Sequence, residues 1–173
     1  MNDSPERSFA VRTALSSDVS FLREMLHLAL YVHDGEPPFP ESVLDEPQLR
    51  HYFEGFGGQP GDLGVVAVDG VRPVGACWLR VFERDDPGYG WVDDDVPELT
   101  VAVREGARDR GLGTRLIETV IRRAAARGTT RVSLSVDPRS PALRLYERLG
   151  FAQAGREGTS ITLVREVPPL RSR

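Results

Sequence analysis

Residues 98–136 place a strand, a glycine turn, a helix and a second strand in an order that few folds accept. ELTVAV, Glu98–Val103, reads as a strand. REGARDRGLG follows, with two closely spaced glycines and arginines on either side. From Leu112 the apolar residues Leu112, Leu116, Ile117, Val120, Ile121 and Ala124 recur at helical spacing and share one face. Arg115, Arg122 and Arg123 lie elsewhere on the wheel, and Glu118 with Arg122 forms a weak surface pair at i,i+4. Gly128 suits the stop, and Arg131–Val136 reads as the next strand. A helix with one apolar stripe between two strands has to pack on a sheet.

The start of that helix carries a second message. Its first N–H groups have no partner inside the helix and form the positive end of its dipole. Gly111 and Gly113 let a ligand approach the backbone, and Arg108 and Arg110 add full charge. Arg108–Thr114 is therefore a candidate anion cradle that suits a pyrophosphate. The plainer alternative is a glycine-rich turn with solvated arginines. A dinucleotide fingerprint is incomplete, because its third glycine position holds Leu116.

Composition removes several chemistries. All 22 basic residues are arginine, so Schiff-base chemistry and a P-loop are excluded. The single cysteine, Cys77, rules out an intrachain disulfide and a cysteine-rich zinc site. His27, His33 and His51 form no H-E-x-x-H pattern, so no metal is expected. A net charge of −4 gives a nucleic-acid partner no global support. No apolar run approaches membrane-spanning length, and MNDSPERSFAVRTA lacks the pattern of a signal peptide, so a cytoplasmic location is the default expectation.

The 173 residues suffice for one domain with one sizeable core, and no repeat or low-complexity linker divides them. Phe9–Ala14 reads as a strand. Asp18 is a candidate N-cap for a helix to about Val32, with Val19, Leu22, Met25, Leu26 and Ala29 as its apolar stripe. A shorter helix is expected within Pro47–Phe56. Val65–Val68 and Val74–Phe82 form a hairpin about Asp69-Gly70. After Arg131–Val136 come a short helix, Pro141–Leu149, and two last strands, Phe151–Gly155 and Thr159–Val167. The order is βααβββαβαββ, a mixed α/β (α+β) domain with a central, mostly antiparallel sheet flanked by helices.

R-x-x-G-x-G at Arg108–Gly113 and A-x-x-L-Y-x-x-x-G-F at Ala142–Phe151, at their proper separation, resemble the GNAT superfamily of acyl-CoA-dependent N-acetyltransferases. The resemblance is specific from about Glu98 to Phe151 and looser outside it. It implies the GNAT fold over residues 1–173, with a cofactor-binding core at about 98–155. It implies acetyl-CoA, or another acyl-CoA, as co-substrate and an amine as acceptor. The pantetheine arm would pair with the strand ending in Val101, Ala102 and Val103. The pyrophosphate would lie over Arg108, Asp109, Arg110, Gly111, Leu112, Gly113 and Thr114. Where the family often has Asn, this chain has Arg139, followed by Ser140, and either is a candidate replacement.

Tyr146 occupies the position of the family's general acid; a half-buried core tyrosine is the plainer alternative. Glu98 is the candidate general base. Deprotonating an alkyl ammonium of pKa about 10.4 at pH 7 costs on the order of 4–5 kcal/mol, which a nearby carboxylate helps to meet. An ordinary strand-start carboxylate beside Pro97 is the alternative, and some relatives use only water. The resemblance places the acceptor cleft between about Tyr31–Ser42 and Glu83–Pro97. Tyr31, His33 and Trp78 are candidate acceptor-binding residues. The acidic residues of 83–98 would draw a cationic amine if they lined the cleft, and a solvated charged loop is the plainer alternative. Trp78, Arg80 and Ala76 share a strand face whose direction period two leaves open, and Cys77 faces the other way. A non-catalytic acyl-CoA sensor or interaction module would keep the cradle without acid or base. A Rossmann-type nucleotide enzyme is weakened by Leu116. Relatives often dimerise, but the sequence carries no interface signal.

Overall fold

A computed structural model describes residues 8–169. The reading of the N-terminus falls partly on residues 1–7, outside the described residues. Seven strands lie in one sheet: β1 Ala10–Thr13, β2 Leu63–Asp69, β3 Arg72–Arg80, β4 Glu98–Val103, β5 Arg131–Val136, β6 Ala152–Glu157 and β7 Ser160–Glu166. The α-helices are α1 Val19–Ala29, α2 Pro47–Arg50, α3 Leu112–Ala126 and α4 Ala142–Arg148. The chain order matches the expected βααβββαβαββ. The spatial order is β1-β2-β3-β4-β5-β7-β6. Every neighbouring pair is antiparallel except β4 and β5, which run parallel.

Helices cover both faces of the sheet centre, which explains the continuous apolar run of β2. Val65 and Ala67 face the core built on α3, where Leu116, Ile117 and Val120 are fully buried. Val66 faces the opposite core, built on Leu22, Met25 and Leu26 of α1. β3 divides the same way. Cys77 and Leu79 point to the first core, and Ala76 and Trp78 to the second. All six apolar positions expected on α3 are buried. Gly111 at its start adopts φ +69, a left-handed conformation that favours glycine.

Several local expectations are corrected. Asp18 precedes α1 but makes no cap bond. Arg12 claims its carboxylate through two 2.8 Å hydrogen bonds, and the Leu15 N–H donates to it as well. α1 stops at Ala29, where Leu30 turns extended. α2, a single turn, lies within the expected Pro47–Phe56. Gly55 and Gly57, at φ +65 and +91, bend the chain after it, while Tyr52, Phe53 and Phe56 stay buried. Glu118 pairs with Arg165 of β7 at 3.1 Å, not with Arg122.

The loop before β4 is pinned to β5 by a close approach. A Cβ on Gly90 would lie 2.6 Å from the Leu134 carbonyl carbon and 2.8 Å from the Ser135 nitrogen. Backbone cannot yield there without the loop leaving the sheet. Gly90→Ala is expected to cost about 3 kcal/mol, read by urea denaturation. An unchanged midpoint would contradict this contact.

Candidate active site

β4 and β5 share one register pair, Glu98↔Ser133, with the Ser133 N–H donating to Pro97 O at 3.0 Å. Beyond that pair the strands part. Arg104 N–H donates back to Val74 O, so alternation along β4 turns the N–H and C=O of Val101 and Val103 toward the gap. Val101 thus offers a strand edge without a strand partner. Val103 O accepts from Arg108 Nε at 2.9 Å.

The gap opens into a cleft of about 440 Å³. One side is formed by Leu99, Thr100 and Val101 of β4, Ser135 and Val136 of β5, then Asp137, Ser140, Ala142 and Tyr146. The other side comes from α1 and its connection to α2, including Leu26, Leu30, Tyr31, His33, Phe39 and Val43. Glu46, Tyr52, Tyr89 and the hairpin residues Thr159 and Ser160 complete it.

The cradle lies off this cleft, at the start of α3. Among the described residues, no backbone carbonyl outside a helix accepts from the N–H groups of Asp109, Arg110 or Gly111. The first N–H groups of α3, from Leu112 to Thr114, are the orphans of any helix start. Asp109 at φ +60 and Gly111 at φ +69 curl the turn. Leu112 is 3 % exposed, so its side chain serves the core and only its backbone serves the turn. Arg108 and Arg110 are exposed, and the Arg110 guanidinium lies 5.7 Å from the Phe9 ring centre. A Cβ on Gly113 would touch Leu145 of α4 at 3.6 Å. α4 therefore contacts the cradle through Leu145 and borders the cleft through Ala142 and Tyr146. These features fit an elongated anion: orphan amides and arginines at one end, an open strand edge toward the other.

Tyr146 is half-buried beside Phe151, with ring centres 5.9 Å apart. Burial, then the neighbouring Cys77, raises its pKa far above the ordinary range, so the phenol keeps its proton. Ser140 Oγ accepts from the Ala142 N–H at 3.3 Å, at the start of α4. The Arg139 side chain turns away onto Asp137, 3.2 Å from each carboxylate oxygen, and onto His33 Nε2 at 2.7 Å. It holds the Asp137 carboxyl below the usual range.

Glu98 is 4 % exposed and does not itself border the cleft. Its Oε1 accepts from Tyr52 Oη at 2.6 Å and from the Gly90 N–H at 3.0 Å. Its Oε2 has no hydrogen-bond partner among the described residues. Burial pushes its pKa up to about 7, against the opposing pull of the Tyr52 and Gly90 hydrogen bonds. Tyr52 does reach the cleft. Its Oη accepts from the Tyr89 N–H at 2.7 Å while donating to Glu98, which leaves one lone pair for a further donor.

The structure brings Glu98, Val101, Ser140, Tyr146, Tyr31 and His33 to one region. It does not bring Trp78 there. Trp78 is 1 % exposed, and its indole N–H donates to Tyr52 O at 2.9 Å, so it supports the tyrosine from the core. Nor does the acidic loop line the cleft, apart from Tyr89. Asp86 pairs with His51 at 3.0 Å, Asp94 accepts from the Arg84 N–H, and Asp93 and Asp95 lie beside Arg131. Tyr52 was missed in the sequence because it stands 46 residues from Glu98 inside HYFEGF, where it reads as a core aromatic.

The sequence matches the Acetyltransferase (GNAT) family over residues 28–151. No curated protein matches it. Among solved structures, a phosphinothricin acetyltransferase of Sinorhizobium meliloti in complex with AcCoA is similar, with 20% identity and a TM-score of 0.65. That likeness covers 92% of this chain and 88% of the other. The PaiA N-acetyltransferase of Thermoplasma acidophilum, in complex with coenzyme A, has 13% identity and a TM-score of 0.66, over 92% of this chain and 99% of its own. The ribosomal-protein-S18-alanine N-acetyltransferase of Escherichia coli has 18% identity and a TM-score of 0.63, over 95% and 97%. At these identities the structures speak for the fold, while the family match covers most of the chain and includes the glycine turn, Glu98 and Tyr146. The chain belongs to the GNAT acetyltransferase family.

Proposed function

We propose that the protein is an N-acetyltransferase that moves an acetyl group from acetyl-CoA to a primary amine. The observation that carries this reading is Glu98. It is a carboxyl with its pKa near 7, buried behind a tyrosine that borders the cleft next to an open strand edge. A pKa near the working pH is what a general base needs.

Acetyl-CoA supplies the activated thioester. The residues supply position and protons. Arg108, Arg110 and the amides of residues 109–114 hold the pyrophosphate, and the Val101 edge holds the pantetheine arm. Ser140 borders the cleft and would take the role that Asn has in relatives. Arg139, tied to Asp137 and His33, does not take that role in this reading. The free lone pair of Tyr52 accepts a proton from the ammonium as Tyr52 passes its own to Glu98 Oε1. The net transfer is from amine to carboxylate, and the phenol is neutral before and after. Tyr146 keeps its proton at neutral pH and donates a hydrogen bond to the departing thiolate, which takes its proton from water.

The test is thiol release from acetyl-CoA in the presence of primary amines. Tyr146→Phe removes the hydrogen-bond donor to the thiolate while keeping the ring. It is expected to lower kcat by about 100-fold with acetyl-CoA affinity unchanged. Unchanged kcat would remove Tyr146 from the chemistry. Absence of any amine-dependent thiol release from an acetyl-CoA-bound protein would favour a sensor over an enzyme.

A further inference from the structure

The acceptor side of the cleft has a composition that selects among amines. Leu26, Leu30, Phe39, Val43, Leu49 and Tyr89 give it a broad apolar and aromatic surface, beside the neutral polar groups of Gln48, Thr159 and Ser160. Phe39 and Tyr89 keep 42% and 43% exposure, leaving aromatic surface uncovered at the opening. Four aspartates of the acidic loop have partners outside this space: Asp86 pairs with His51, Asp94 accepts from the Arg84 backbone N–H, and Asp93 and Asp95 lie beside Arg131. Two carboxylates border the cleft. Asp137 is already held by Arg139 and His33. Glu46 is exposed and accepts from Gln48 Nε2 at 2.7 Å.

This arrangement meets one cation and little more. An ammonium entering past Glu46 loses its charge at Tyr52 and need not be paired afterwards. Every further ammonium on the same molecule would have to shed water against leucine, valine and phenylalanine, which is costly without a partner. An apolar body gains from the same walls. We propose that the acceptor is a small monoamine with an apolar or aromatic body, rather than a polyamine, an aminoglycoside or a protein terminus. The proposal rests on the acetyltransferase reading. The cleft volume of about 440 Å³, shared with the acyl end of the co-substrate, also favours a small acceptor.

The experiment compares 2-phenylethylamine, spermidine, kanamycin and an alanine-initiated peptide by thiol release, with acetyl-CoA protection against heat measured in parallel. The expected result is a kcat/KM for 2-phenylethylamine at least about tenfold above each of the others. Phe39→Glu adds a carboxylate at an exposed position, and is expected to lower kcat/KM for 2-phenylethylamine and raise it for spermidine. Glu46→Gln is expected to raise KM for the amine with little change in kcat. A preference for spermidine, kanamycin or the peptide overturns the proposal. So does a protein that acetyl-CoA protects but that acetylates none of the four, and that outcome leaves acyl-CoA binding intact. Loss of protection itself removes the acetyltransferase reading first, and this proposal with it.

Discussion

Glu98→Gln is expected to lower kcat/KM by about 100-fold or more while leaving the fold intact. Glutamine keeps the shape and still accepts from Tyr52 and Gly90 through its carbonyl oxygen, but it cannot take a proton. The pH profile carries the signature. With the carboxyl near 7, activity of the wild-type protein rises as pH climbs through about 7 and the base becomes ionised. That limb is expected to vanish in Glu98→Gln. Tyr52→Phe cuts the same route one step earlier, so the two changes together should cost little more than either alone.

Stability moves in the opposite direction. A carboxyl whose folded pKa is raised binds its proton more tightly in the folded protein than in the unfolded chain. Its contribution is full below pH 4.5 and is lost as pH rises through about 7. The rise from 4.5 to about 7 corresponds to about 3 kcal/mol, at about 1.4 kcal/mol per pH unit. Glutamine does not titrate, so this part of the pH dependence should disappear and the variant should be no less stable than wild type at pH 8. A variant that is clearly less stable at pH 8 would contradict the burial penalty assigned to Glu98. Equal activity of the two proteins would remove Glu98 as the base.

Asp62→Ala is expected to destabilise the fold by about 3–5 kcal/mol. The Arg80 and Asp62 side chains are 2% and 1% exposed. They meet through two 3.0 Å hydrogen bonds, and Arg80 Nη1 also donates to the carbonyls of His51 and Glu54. Asp62 further accepts from the N–H groups of Gly57 and Gln59. Alanine would leave a buried guanidinium unpaired and two amides unsatisfied. The pair also ties β3 to the segment that carries Tyr52, so activity should fall with stability. Denaturant unfolding at neutral pH measures the effect, and a loss under about 1 kcal/mol would contradict it. Truncating both partners, in Asp62→Leu with Arg80→Met, should cost less than the two single changes summed.

The parts of the fold governed by local periodicity are legible in the sequence. α3 follows from six apolar residues at helical spacing, and β2 from an apolar run between turn residues. The helix ends were less legible. Asp18 looks like a cap from its neighbours, but Arg12, six residues away, takes its carboxylate. α2 is one turn followed by further turns, and Gly55 and Gly57 then take left-handed backbone beside the buried Tyr52, Phe53 and Phe56, an end that the helix-length pattern does not mark. The site divides along the same line. The glycine turn, Glu98 and Tyr146 belong to contiguous motifs and were found. Tyr52 reaches Glu98 only because the sheet and α2 bring residues 46 apart into contact. Trp78 was misplaced because alternation on β3 tells which residues share a face and not what that face meets. The acidic loop could be read either as an amine-attracting wall or as a solvated loop, because charge in a sequence does not say which partner a carboxylate will find.

Thermal unfolding of the purified protein with acetyl-CoA, with NAD and ATP as controls, tests the central claim most directly. At about 100 times Kd, a ligand of the native state adds about 2.7 kcal/mol, a rise in Tm of about 5–10 °C for a chain of this size. The account predicts that rise with acetyl-CoA and none of comparable size with NAD or ATP. Protection by NAD without protection by acetyl-CoA would contradict it.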